Sequence, residues 1–145
     1  LSNFQAYFSL IQDQPRIQDL PRLSEPLLTQ AHNCRKHSLD NNYYLAFIGD
    51  RCINLVAALL VDKVRMDQRH HEAVRLMICT NDIFGRIAFC PHLDDVAEFD
   101  LVTEMRLEHW SLQSKHPPPK ALADLLEAYA GAVFVHRGGA GSKRS

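Results

Sequence analysis

From Tyr43 onward, apolar residues recur every three or four positions. Leu45, Ile48, Cys52, Leu55, Val56, Leu59 and Leu60 mark one long helix. Phe47 and Val61 lie outside that stripe, so the helix is apolar on more than one side. Such a helix is buried on more than one side, or it packs against a second chain. A second long pattern runs from His71 to about Phe89, with Val74, Ile78, Ile83, Ile87 and Ala88 among its apolar positions. Asn81-Asp82 interrupts it, which leaves one broken helix or two.

The flanks are shorter and better punctuated. Residues 1–26 mix apolar positions with Pro15, Pro21 and Pro26, and a short helix fits near Phe4–Ile11. Ser24-Glu25-Pro26 is a helix start, with a capping residue and Pro just inside, and Leu27 to His32 continue it. Ser38 to Asn42 is a polar loop ending in side chains able to cap the next helix. Leu93 to Leu112 is less regular and richer in charge. His116-Pro117-Pro118-Pro119 then stops any helix. After it, Lys120 to Val135 form a final helix with Leu122, Leu125, Leu126, Tyr129 and Val133 on one face. Gly138-Gly139-Ala140-Gly141 is expected to end that helix. No strand alternation occurs, so the expectation is an all-α domain over residues 1–137. Residues 138–145 then form a flexible tail leading to a further module.

Length and charge narrow the function classes. The chain has 145 residues, enough for one domain with its own core. Its formal net charge is -1, whereas a dedicated nucleic-acid binder carries a basic excess. Three possibilities remain: basic residues are gathered on one face, neighbouring modules supply the grip, or polynucleotide is not the ligand. Cys34, Cys52, Cys79 and Cys90 form no C-x-x-C pair, which argues against zinc fingers and redox motifs. Cys52 and Cys79 sit in helical patterns and read as buried thiols in a reducing compartment. The longest apolar run, Leu55 to Val61, is too short for a bilayer, so no membrane partner is expected. The expected location is intracellular, in cytoplasm or nucleus. A start at Leu1 rather than Met reads as a piece of a longer protein.

The final helix carries Asp124 and Glu127 three residues apart, hence on one face, with Ala128 and Gly131 leaving room beside them. Two carboxylates in a roomy site suit Mg²⁺, a hard ion that prefers oxygen ligands. The same pair is also what a solvated helix face looks like. Asp50 follows Gly49 inside the long apolar helix, where a carboxylate needs a partner, a metal or a route to water. Gly costs a helix about 1 kcal/mol against Ala, so Gly49 suggests a close approach by another backbone or side chain. His70-His71-Glu72 reads as surface, and His32, His37, His92, His109 and His116 show no ligand spacing. Arg65, Arg69, Arg75 and Arg86 form either a phosphate-binding face or a solvated one.

Three blocks resemble the ribonuclease III family. Asn42-Tyr43-Tyr44-Leu45-Ala46-Phe47-Ile48-Gly49-Asp50 is similar to the family signature N-E-R-L-E-F-L-G-D. Leu76 to Ala88, with Asn81 and Arg86, looks like the helix pair that follows it. Residues 119–133 resemble the second motif, P-K-x-L-A-D-x-x-E-A-x-x-G-A-x, and the block looks closest to Dicer-like nuclease domains.

The resemblance implies an all-helical endoribonuclease that hydrolyses RNA with Mg²⁺, or with Mn²⁺ as a substitute. It implies metal ligation and catalysis at Asp50, Asp124 and Glu127. Lys120 would contact the scissile phosphate, and Asn81 would support the acidic cluster. Phe47 would insert into a second subunit, making a symmetric homodimer in which each site cuts one strand. Products would carry 5′-phosphate and 3′-hydroxyl. RNA silencing, processing or degradation are the settings implied, and a flanking double-stranded RNA-binding domain is a reasonable companion. The chain departs from the signature at Ala46, where the family has glutamate, and at Tyr43 and Tyr44, where it has Glu-Arg. The loss at Ala46 leaves the site slower, looser in substrate choice, or inactive, with the domain then serving as a dimerisation or RNA-docking scaffold.

Overall fold

Six α-helices and one 3-10 turn follow each other in a computed structural model that describes residues 20–62, 67–89 and 92–142. They are α1 (Glu25–His32), α2 (Tyr43–Asp62), α3 (Gln68–Ile78), α4 (Asn81–Phe89), the 3-10 turn Leu93–Val96, α5 (Leu101–Glu108) and α6 (Lys120–Ser142). The only extended pairing among the described residues is one parallel bridge between Asn33 and Glu98. The helix expected near Phe4–Ile11 lies outside the described residues, as do Arg65 and Cys90.

Local chemistry explains most boundaries. Ser24 is extended before Pro26, but its backbone oxygen, not its side chain, serves the first turn, accepting from Leu28 N at 2.9 Å. The interruption at Asn81-Asp82 is a true break. Cys79 leaves helical geometry, and Thr80 Oγ1 accepts from Ile83 N at 3.2 Å to restart the chain as α4. Asn42 does not cap α2 with its side chain. Its Nδ2 reaches back to the Ala31 carbonyl at 3.1 Å and to Cys34 Sγ at 3.3 Å, tying the start of α2 to the end of α1. The expected end of α6 at Gly138 is corrected: the helix runs on to Ser142. No described glycine adopts positive φ, so none forms the left-handed cap that would have stopped it.

Helix α6 lies at the centre and is buried on two sides. Leu122 and Leu125 enter one cluster with Ala88, Leu93, Phe99 and Trp110. Ala128 and Ala132 enter another with Ala31, Leu45 and Ala46. The apolar stripe of α2 behaves differently from a core stripe. Leu45, Ala46 and Ala57 are buried, but Phe47, Leu55, Val56, Leu59 and Leu60 are exposed. By length and composition alone Tyr43–Leu60 is long and apolar enough to cross a bilayer, a test that the helices of many soluble proteins also pass. Asp50 and Arg51 sit mid-helix in that span.

Candidate functional site: a carboxylate cavity between α2 and α6

Two glycines set the site. At Gly49 on α2, an added Cβ would lie 1.6 Å from the carbonyl oxygen of Glu127 on α6. At Gly131, one turn further along α6, a Cβ would lie 2.0 Å from the carbonyl oxygen of Leu45. The two helices therefore touch backbone to backbone, as only glycine permits. Gly131 and Ala128 make room for α2 rather than for a ligand, a correction to the roomy-site reading. Because Asp50 follows Gly49 and Glu127 lies one turn before Gly131, the crossing carries both carboxylates to the same place.

A cavity of about 700 Å³ opens there, and Ala46, Phe47, Asp50, Asn81, Lys120, Asp124 and Glu127 all line it. Residues separated by more than seventy positions thus share one site. Asp50 pairs with Arg51 and accepts from Asn54 Nδ2 at 3.0 Å. Asn54 Oδ1 in turn accepts from Arg75 Nη1 at 3.1 Å, and Arg75 pairs with Glu72 at 2.6 Å. Lys120 Nζ lies 2.8 Å from Asp124 Oδ1, one turn along α6. Glu127 is only 9% exposed. Burial pushes its carboxyl up to about 7, the charges of Asp124 and Asp50 add to the shift, and Lys120 and Arg51 oppose it.

The donor set fits a hard divalent cation. All three groups are carboxylates, and Glu127 resists ionisation first because it is buried and then because Asp124 and Asp50 add their charge, a cost that a dication would offset. In the present side-chain arrangement Asp50 is turned to Arg51 and Asn54, and Asp124 to Lys120. Ala46 lines the cavity without offering a ligand and packs with Ala128 and Ala132. Elsewhere, His92, Asp94 and Asp95 place one ligand atom each within 4.8 Å of one another around the 3-10 turn, although His92 showed no ligand spacing in sequence.

Sequence patterns marked Tyr43 only as a departure from the family signature and did not bring the rest of the lining to the cavity. Arg35, Lys36 and Asn41 come from the loop after α1, Tyr43 from the start of α2, and Thr103 and Arg106 from α5. An Arg-Lys pair in a polar loop was the only available signal; α5 offered none. Of the arginines weighed as a phosphate face, Arg86 is structural. It is buried, pairs with Asp82 at 2.9 Å, and donates to the carbonyls of Leu112 (2.8 Å), Ser114 (3.1 Å) and His116 (3.3 Å). The thiols also read differently in space. Cys52 and Cys79 are half-buried, and it is the Cys34 thiol that burial pushes up to about 12.

Two crossing helices of an all-helical domain thus gather three carboxylates and a lysine around one cavity. No family model matches the chain. It is 33% identical over 121 residues to ribonuclease 3 of Cupriavidus taiwanensis, an alignment covering 81% of this chain and 44% of that protein. It is 34% identical over 115 residues to ribonuclease 3 of Albidiferax ferrireducens, covering 77% of this chain and 47% of that one. The chain thus spans half or less of the length of these curated relatives. The crystal structure of the nuclease domain of Campylobacter jejuni ribonuclease III superposes with a TM-score of 0.63 at 26% identity, over 81% of this chain and 78% of that one. A second structure of that domain, concerned with flexibility in its dimer-forming region, gives 0.63 at 23% identity. By sequence and fold, this chain belongs to the ribonuclease III family.

Proposed function

We propose that the domain hydrolyses RNA phosphodiester bonds with a divalent metal, Mg²⁺ or Mn²⁺ in its place. One observation carries this reading: Asp50, Asp124 and Glu127, from two helices locked by a glycine crossing, line one cavity with Lys120. Glu127, Asp50 and Asp124 would hold the ion. When bound, such an ion acidifies water and offsets charge on the phosphate. Lys120, exposed and paired with Asp124, would contact a phosphate oxygen. Asn81 lines the same cavity and would support the acidic cluster. The products would carry 5′-phosphate and 3′-hydroxyl.

The working unit is a homodimer. Phe47, Leu55, Val56, Leu59 and Leu60 leave an apolar face on α2 in the single chain, and a second copy would cover it. A net charge of -1 is poor for holding polynucleotide. The grip therefore falls to the site's own rim and to a double-stranded RNA-binding module elsewhere in the full protein. RNA processing or silencing is the setting that such chemistry serves.

A scaffold role is the second reading, favoured by Ala46, which removes a carboxylate from the cavity wall. Labelled duplex and single-stranded RNA, incubated with the purified domain and Mg²⁺ or chelator, separates the two. Metal-dependent cleavage that Glu127→Ala abolishes supports the enzyme. Intact RNA with Mg²⁺ and with Mn²⁺ supports the scaffold.

A further inference from the structure

Tyr43 stands at the lip of the carboxylate cavity. It lines the same space as Asp50 and Glu127, yet is 74% exposed, so its ring is open to a ligand. Its surroundings are built rather than loose. The Tyr43 backbone N donates to Asn41 Oδ1 at 3.1 Å, and Asn41 Nδ2 donates to the Lys36 carbonyl at 3.1 Å. Lys36 N donates to Asp100 Oδ2 at 3.2 Å, and Asp100 immediately precedes α5, which carries Thr103 and Arg106. Asn33 staples the same loop through Ser38 Oγ at 2.8 Å and the Asp40 carbonyl at 3.1 Å. An aromatic ring and two exposed cations, Lys36 and Arg106, are thereby tied together around one mouth.

We infer that Tyr43 is a stacking platform for an unpaired nucleobase beside the scissile phosphate at the carboxylate cavity, with Lys36 and Arg106 taking neighbouring phosphates. The inference rests on the proposed RNA hydrolysis and names its substrate class: RNA that is single-stranded, bulged or looped at the cut. Aromatic side chains beside cations suit this ligand, because every base offers a π-face and the backbone offers charge. A paired base buried in a helix presents neither face to a side chain. Arg35 and Lys120 contribute less free charge, since they already pair with Glu98 and Asp124.

The test uses RNA carrying one 2-aminopurine, in chelator so that no metal-dependent cleavage proceeds. Three probes are titrated with protein: a single strand, a hairpin with the analogue bulged, and a fully paired duplex. Stacking on Tyr43 quenches the first two and not the third. Tyr43→Ala should lose the quench and bind them roughly tenfold more weakly, within the range of alanine substitutions at stacking residues. Tyr43→Phe should keep both. Lys36→Gln with Arg106→Gln should weaken binding while keeping the quench at saturation. Thermal melts verify that each variant is folded, as expected for exposed positions. Quenching that survives in Tyr43→Ala, or wild-type protein that quenches no probe, overturns the inference. If wild type quenches but cuts no RNA with metal, the hydrolase reading falls and the platform stands. If it cuts and Tyr43→Ala behaves identically, the reverse holds.

Discussion

Gly49 and Gly131 face each other where α2 crosses α6, with the Gly49 nitrogen 3.0 Å from where a Cβ on Gly131 would sit. The contact brings the axes closer than side chains allow and thereby sets the spacing of Asp50 against Glu127. Structure and chemistry meet at this one point.

Gly49→Ala should be severely destabilising. Its methyl would overlap the Glu127 carbonyl at 1.6 Å, and backbone cannot rotate away as a side chain could. Gly131→Ala should behave alike. Gly138→Ala, which meets nothing within 4 Å, should instead stabilise the end of α6 by about 0.5 kcal/mol. Urea denaturation distinguishes them; equal midpoints for Gly49→Ala and wild type would remove the crossing from the account.

Glu127→Gln should stabilise the metal-free domain, and the gain should depend on pH in a set direction. The folded carboxyl is raised to about 7 from an ordinary 4.5. Folding therefore favours the protonated form, and the penalty for ionised Glu127 is absent below the ordinary value and complete above about 7. The melting temperature of Glu127→Gln should exceed that of wild type near neutral pH and above, and converge on it as pH falls toward 4.5. Added Mg²⁺ should raise the wild-type melting temperature and do much less for the variant. A constant difference across the pH range would show that burial and the neighbouring charges do not act on this carboxyl.

Lys120→Met should leave stability nearly unchanged, because the Lys120–Asp124 pair is exposed and such pairs contribute about 0.5 kcal/mol or less. RNA cleavage should fall by roughly ten- to a hundredfold, if a charge-assisted contact to phosphate worth about 1.5–3 kcal/mol is lost. Initial rates with labelled RNA measure this; full activity would remove Lys120 from the phosphate-contacting role.

Arg86→Met should cost about 3 kcal/mol or more. The substitution leaves three carbonyls of the 112–116 segment and the Asp82 carboxylate without their shared donor. Arg86→Lys should not rescue it, since a single ammonium cannot reproduce the planar fork. The segment matters to the site because it leads into Pro118, which packs against Gly85, and on to Lys120.

Leu55→Glu with Leu59→Glu should prevent self-association with little loss of fold, because both side chains are already exposed in one chain. Sedimentation at several concentrations reads the outcome. A wild-type domain that stays monomeric throughout would disprove the homodimer.

Much of this domain was readable along the chain. Helical periodicity marked α2, the broken pair α3 and α4, and α6, because an amphipathic helix repeats its burial every few residues regardless of what it packs on. Family-like blocks likewise singled out Asp50, Asp124, Glu127 and Lys120, since motif spacing is a property of sequence. Space decided the remainder. Gly138 looked like a stop, but a helix ends where a cap forms, and none did. The stripe with Leu55 and Leu59 fitted either a core or a second chain, because burial depends on which elements arrive, and none of the described ones covers them. Above all, a glycine in a helix pattern says only that something comes close. That the neighbour is the backbone of Glu127, and that Tyr43, Lys36 and Arg106 share its cavity, follows from a crossing of distant segments, which no local pattern encodes.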